Sequence, residues 1–121
     1  MNHQSPEEAL FADLATALDY WMAGSVEALT DPDADLSWCD HPEEFRTIQT
    51  KLQFAPDQHA LSACMSEILR GVIHSVLVTL DGGTKMAESH AIKVVTEDGV
   101  PLSGSLHEGF IDYLIRSGNL E

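Results

Sequence analysis

Bases are scarce in this sequence: six Lys and Arg stand against twenty Asp and Glu across 121 residues, a formal charge of −14. A surface that negative repels phosphate backbones and anionic head groups, so neither nucleic acid nor membrane is an expected partner. Cysteine is scarce too. Cys39 and Cys64 cannot make a Cys-only zinc site, and a secreted domain of this size would not need them as staples, so both read as free thiols. No unbroken apolar run approaches the ~18–20 residues of a membrane span. The start, Met1 to Glu8, has neither the basic nor the apolar region of a signal peptide, which makes the cytoplasm the expected location. Repeats, low-complexity tracts and linkers are absent, which leaves residues 1–121 as a single acidic globular domain. With 44% hydrophobic and 21% charged residues, the acidity reflects missing bases and not a charge-saturated, unfolded chain.

The apolar residues that are present fall into periodic segments. Ser5-Pro6-Glu7-Glu8 combines a hydroxyl cap, a proline at the first helical position and an acid at the third. Behind it Leu10, Phe11, Leu14, Leu18, Trp21 and Met22 form one stripe, with Gly24 placed as a C-terminal cap. Ser25 to Leu29 extend this by a turn or two before the loop at Asp31-Pro32-Asp33-Ala34-Asp35. Asp40-His41-Pro42-Glu43 again reads as a helix start with Phe45, Ile48 and Leu52 behind it. The same stretch, 45–54, alternates well enough to read as a strand; helix is favoured. Pro56-Asp57 then breaks the chain and caps the next helix.

The strongest pattern runs from Gln58 to Leu80. Leu61, Met65, Ile68, Leu69, Val72, Ile73, Val76 and Leu80 share a broad apolar face, and Glu67, Arg70, Gly71 and His74 the opposite polar one, before Asp81-Gly82-Gly83 stops the helix. Residues 91–96 and 100–102 then read as the arms of a hairpin turning at Glu97-Asp98-Gly99. Ser105-Leu106-His107-Glu108 is a capping box opening a last helix, with Phe110, Ile111, Leu114 and Ile115 inward and Gly118 at its end. The expected fold is therefore α+β and predominantly helical, about four helices packed on one core with a short β-hairpin before the C-terminal helix.

Catalytic and metal motifs fail on spacing. Asp31-x-Asp33-x-Asp35 begins like a calcium loop, but Leu36 stands where glycine is needed and Pro42 where the bidentate glutamate belongs. Cys39, His41, His59 and Cys64 offer zinc-type ligands without paired spacing. His107-Glu108 lacks a second histidine at 111, and Gly82-Gly83-Thr84-Lys85 lacks the first glycine of a phosphate loop. No nucleophile elbow or dinucleotide fingerprint occurs. No cofactor, metal or catalytic residue is assigned.

What remains is where the acids sit. Residues 1–45 carry eleven acids and no Lys or Arg, while 46–121 carry nine acids and all six bases. Within the first segment Asp31, Asp33, Asp35, Asp40, Glu43 and Glu44 ring Trp38. An aromatic anchor ringed by carboxylates suits a basic protein surface, the indole giving contact area and the acids on-rate and register. In general composition such a domain is similar to bacterial immunity proteins and other proteinaceous inhibitors, which occlude a basic toxin or nucleic-acid enzyme; no motif carries the likeness. The reading is a non-enzymatic acidic binding protein, antitoxin-like, that neutralises a basic partner through those seven residues and the neighbouring acids of the first helix. The alternatives are a small metal-dependent or acid–base enzyme using Cys39, His41, His59, Cys64 or His74, and an oligomeric scaffold whose surplus apolar stripes pair between copies, as in a homodimer.

Overall fold

The computed structural model describes residues 4–118. It contains four α-helices: α1 (Pro6–Thr30), α2 (Pro42–Lys51), α3 (Ala55–Leu80) and α4 (Leu106–Arg116), with a short 3-10 turn at Lys85–Glu88. The fold is helical, and the expected hairpin is not there: among the described residues there is no β-strand, only an isolated bridge between Val95 and Pro101. Thr96 N–H donates to the Val100 carbonyl and Leu102 N–H to the Val94 carbonyl, and pairing stops. Pro101 has no N–H to extend a ladder, and Val95 and Val100 are half-exposed, so no core rewards a longer one. The α+β expectation is therefore corrected to all-helical. The chain divides into two contact units, one comprising Met1–Ala17 and Arg70–Glu121, the other Leu18–Leu69.

Local signals place most helix ends. Ser5 Oγ accepts the Glu8 N–H at 3.2 Å, the cap its sequence calls for. Helix α1 runs through Gly24, because one glycine costs only about 1 kcal/mol in a helix interior, and ends at Thr30. The 45–54 stretch is helical as far as Lys51. Pro56 sits in the first turn of α3, where its missing N–H is not needed. Gly82, at φ 82°, then turns the chain out of α3 as only glycine does readily.

In the unit containing α4, Phe11, Ala15, Leu77, Leu106, Phe110 and Leu114 are buried. The Phe11 ring lies 5.8 Å from Phe110 and 6.1 Å from Tyr113, an approach that requires Gly109: a Cβ there would come within 2.9 Å of Phe11. The start of α4 is held from a distance. Ser105 makes no side-chain cap to the helix backbone; instead Asp81, its side chain 3% exposed, accepts the N–H groups of Leu106 and His107 at 2.8 Å each and the Nδ1–H of His107. This overrides the local capping box because a buried carboxylate is a stronger acceptor for those N–H groups than a solvated hydroxyl.

That contact also decides how α3 is covered. Asp81 continues the helical register, its N–H donating to the Leu77 carbonyl, so Arg70, His74, Leu77 and Asp81 form one stripe. A helix capped by Asp81 is laid along that stripe. Arg70, Gly71 and His74 consequently face Phe110, Ile111 and Leu114, while Ile68 (59%), Val72 (58%) and Val76 (53%) stay exposed. The covered face of α3 is thus turned relative to the expected one: Leu61, Met65, Leu69, Ile73 and Leu80 remain half-buried, but Ile68, Val72 and Val76 do not. Ile111 and Ile115, expected inward on α4, are also exposed. By length and composition alone, an 18-residue window within Ala55–Glu88 is apolar enough to cross a membrane, a property that a search for unbroken runs misses because Glu67, Arg70 and His74 interrupt the stretch.

Burial raises the Asp81 pKa, but the His107 and Leu106 donors outweigh it and the net shift is downward. A carboxylate with a lowered folded-state pKa gives stability that is present above its unfolded value, near 3.8, and lost as pH falls through the folded one. Asp81→Ala should therefore cost about 2–3 kcal/mol in urea unfolding at pH 7, since it strands buried donors. The wild-type advantage over Asp81→Asn should shrink as pH falls below about 4.

Candidate functional site

The unit Leu18–Leu69 carries ten acids against Arg46 and Lys51, a formal charge of −8. Its interior is built around the end of α1. Ala28, Ala34 and Leu36 form a buried cluster with Cys39 and Phe45 packed against it. A helix end leaves carbonyls unpaired, and α2 and the residues just past it supply their partners. The buried Gln49 donates to the Ala28 carbonyl at 2.8 Å, and Gln53 donates to that of Thr30 at 2.8 Å. The Arg46 guanidinium donates to the carbonyls of Pro32 (2.6 Å) and Ala34 (2.9 Å) and to the Gln49 side chain. The nearest cation thus pins the acidic loop by its backbone and forms no ion pair with the described acids around it.

The loop acids divide by role. Asp31 accepts the Asp33 N–H at 2.8 Å and Asp35 the Ser37 N–H at 2.9 Å, so both shape turns. The Ser37 backbone and side-chain donors hold the Asp35 pKa below the ordinary range, which keeps it ionised. Asp33 and Asp40 are exposed, as are Glu43 and Glu44 in the first turn of α2, where Glu44 lies 3.9 Å from His41. The Cys39 thiol is pushed up by burial and by Asp40 and Asp35, against the opposing pull of Arg46, so it is a poor nucleophile.

Trp38 is 54% exposed, and its Nε1–H donates to the Asp35 carbonyl at 2.9 Å, which fixes the indole on the loop. It belongs to a ladder of edge-on rings: Tyr20 to Trp21 at 5.7 Å, Trp21 to Trp38 at 6.0 Å and Trp38 to Phe45 at 5.9 Å. Tyr20 (70%) and Trp21 (51%) are exposed as well. Beside them lies a cleft of about 540 Å³ walled by Tyr20, Trp21 and Trp38, floored by Ala23, Gly24, Ala28 and Ala34, and bordered by Glu27 and Asp35.

No protein-family model, curated protein or solved structure matches this chain. Its own geometry therefore carries the functional argument. Of the seven residues singled out in the sequence, Trp38 and Asp35 meet in the cleft; Asp31 and Asp33 lie on the loop leading to it, and Asp40, Glu43 and Glu44 on the chain beyond it. Tyr20 and Trp21 are additions that charge patterning does not reveal, whereas Glu27 is one of the first-helix acids already counted with the loop. Trp21 falls on the apolar stripe of α1, which makes it look interior, although Tyr20 and Trp21 in succession point about 100° apart, more than one packed face readily covers. Among the described residues no three His, Cys, Asp or Glu side chains gather as a metal-binding group, so Cys39, His41, His59 and Cys64 are not brought together. His74 meets His107 edge-on at 5.5 Å rather than pairing with Glu67. Aromatic faces bordered by carboxylates are suited to holding a cation.

Arg46→Ala should release the loop while leaving the helices formed. Amide hydrogen exchange at residues 33–38 is expected to accelerate by about tenfold or more, corresponding to roughly 1.4 kcal/mol of lost local stability, with little change in far-UV dichroism.

Proposed function

We propose that this protein binds and neutralises a basic protein partner, with a cationic side chain of that partner seated against Trp21 and Trp38 and the surrounding acids steering its approach. The observation that carries this reading is the exposed aromatic cleft bordered by Glu27 and Asp35, in a unit of charge −8 whose neighbouring arginine is spent on backbone carbonyls. A cation over an indole contributes about 0.5–1 kcal/mol when exposed and about 2 kcal/mol when desolvated. Carboxylates of one sign raise the association rate, and their pull weakens with salt. The mechanism is electrostatic capture followed by steric occlusion, in the manner of an immunity protein or antitoxin, and requires no chemistry from this chain.

Octa-arginine peptide is a suitable probe, followed by the fluorescence of Trp21 and Trp38. Binding is expected to weaken by at least tenfold between 50 and 300 mM salt. Trp38→Ala and Trp21→Ala should each weaken it by a further ~10-fold or more at constant charge. Affinity that both substitutions leave within twofold would show that net charge alone attracts the peptide and would remove the cleft from the reading.

A second reading, self-association, is supported by the outward face of α3, where Ile68, Val72 and Val76 are each more than half exposed on successive turns. Sedimentation velocity at 100 µM protein should then show a dimer that Val72→Glu converts to monomer. A monomer at that concentration, or partition of the wild-type chain into neutral phosphatidylcholine vesicles, would reject a second copy as what covers that face.

A further inference from the structure

The unit containing α4 holds a second cavity, of different chemistry from the aromatic cleft. It is about 290 Å³ and is lined by Arg70, Gly71 and His74 of α3 and by Phe110, Ile111 and Leu114 of α4. Arg70 is anomalous there. Its Nε is fully buried with no hydrogen-bond partner, and it makes no ion pair with any described acid in a chain that has twenty. The other two arginines are both engaged, Arg46 with carbonyls and Arg116 with Asp112 at 2.8 Å. A buried unpaired donor is costly, and the terminal nitrogens of the same guanidinium, also unpaired but not fully buried, are the donors an acceptor in the cavity can reach. His74, one turn along the same face, likewise makes no hydrogen bond among the described residues; its ring is braced edge-on by His107, which Asp81 holds in place.

From these observations we infer that the cavity binds a small carboxylate with an apolar tail, its head on Arg70 and His74 and its tail against Phe110, Ile111 and Leu114. The charge of the occupant follows from the unpaired guanidinium, whose fork matches a carboxylate in two parallel hydrogen bonds. Its polarity follows from the remaining walls, which are hydrocarbon apart from the imidazole. A phosphate ester would require more donors than one guanidinium and one imidazole, and there is no helix N-terminus here to provide them, because Asp81 occupies that of α4. Its size follows from a volume at the lower end of the roughly 300–1,000 Å³ usual for small-molecule pockets. Gly71 keeps the α3 wall open, since a Cβ there would meet nothing within 4 Å.

Octanoate is the probe, titrated into the full chain and followed by backbone amide NMR shifts, with acetate as a head-only control and 1-octanol as a tail-only control. Saturable binding of octanoate is expected, with shifts clustered at residues 70–74 and 110–114 and each control at least tenfold weaker. Arg70→Leu removes the counter-charge and Gly71→Leu fills the groove; each should weaken octanoate by tenfold or more. Gly71→Leu also replaces glycine inside a helix with a better helix former, so the fold is retained; should Arg70→Leu not fold, Gly71→Leu decides alone. The inference is overturned by a linear, unsaturating response to octanoate, by an acetate or 1-octanol affinity within threefold of octanoate, or by octanoate affinity within threefold of wild type in a folded variant.

Discussion

Backbone groups at helix ends must find partners, and in this protein the decisive partners come from far along the chain. The buried carboxylate of Asp81, at the end of α3, accepts the first N–H groups of α4, twenty-five residues away in sequence. At the other helix end, Arg46, Gln49 and Gln53 of α2 and the residues just past it satisfy carbonyls at the close of α1 and in the loop beyond it. Neither unit has a large interior: the described chain buries ten hydrophobic side chains, three of them alanines. These few polar contacts therefore fix geometry that packing alone would leave loose.

The consequences run outward from the two clasps. Because Asp81 lies on the stripe of Arg70, His74 and Leu77, capping α4 lays its apolar residues over the polar face of α3. That places a guanidinium beside Phe110 and Leu114 and leaves Ile68, Val72 and Val76 outside. Because Arg46 is committed to the carbonyls of Pro32 and Ala34, the carboxylates nearby keep their charge facing solvent, and Trp38 is held at the mouth of a cleft by its bond to the Asp35 carbonyl. These two surfaces are thus by-products of how helix ends are satisfied, one acidic and aromatic, the other apolar around a single cation.

Much of this is legible along the chain where the determining contact is local. The Ser5 cap and the stop at Gly82 depend on neighbours within four residues and are readable from spacing, whereas α3 starts at Ala55 and takes in Pro56 and Asp57, which read as a break and a cap. The acidic loop and Trp38 are visible as a charge pattern. Tyr20 and Trp21 are not, because helical periodicity cannot say which aromatic residues of α1 the rest of the chain covers. Residues 91–102 alternate as a hairpin would, yet alternation yields strands only where a core takes one face, and Val95 and Val100 have none. Ser105 illustrates the same limit: its capping box is intact in sequence, and a distant aspartate takes the N–H groups.

The sequence by itself determined that this chain is acidic, predominantly helical and crowded with carboxylates around position 38, since charge and periodicity are properties of the residues and their order. Only the tertiary structure decided which side of α3 meets α4, that two tryptophans and a tyrosine wall one cleft, and that Arg70 lies against hydrocarbon without a counter-ion. Those outcomes depend on which distant acceptor or donor reaches an unsatisfied helix end first, and local pattern holds no record of that competition.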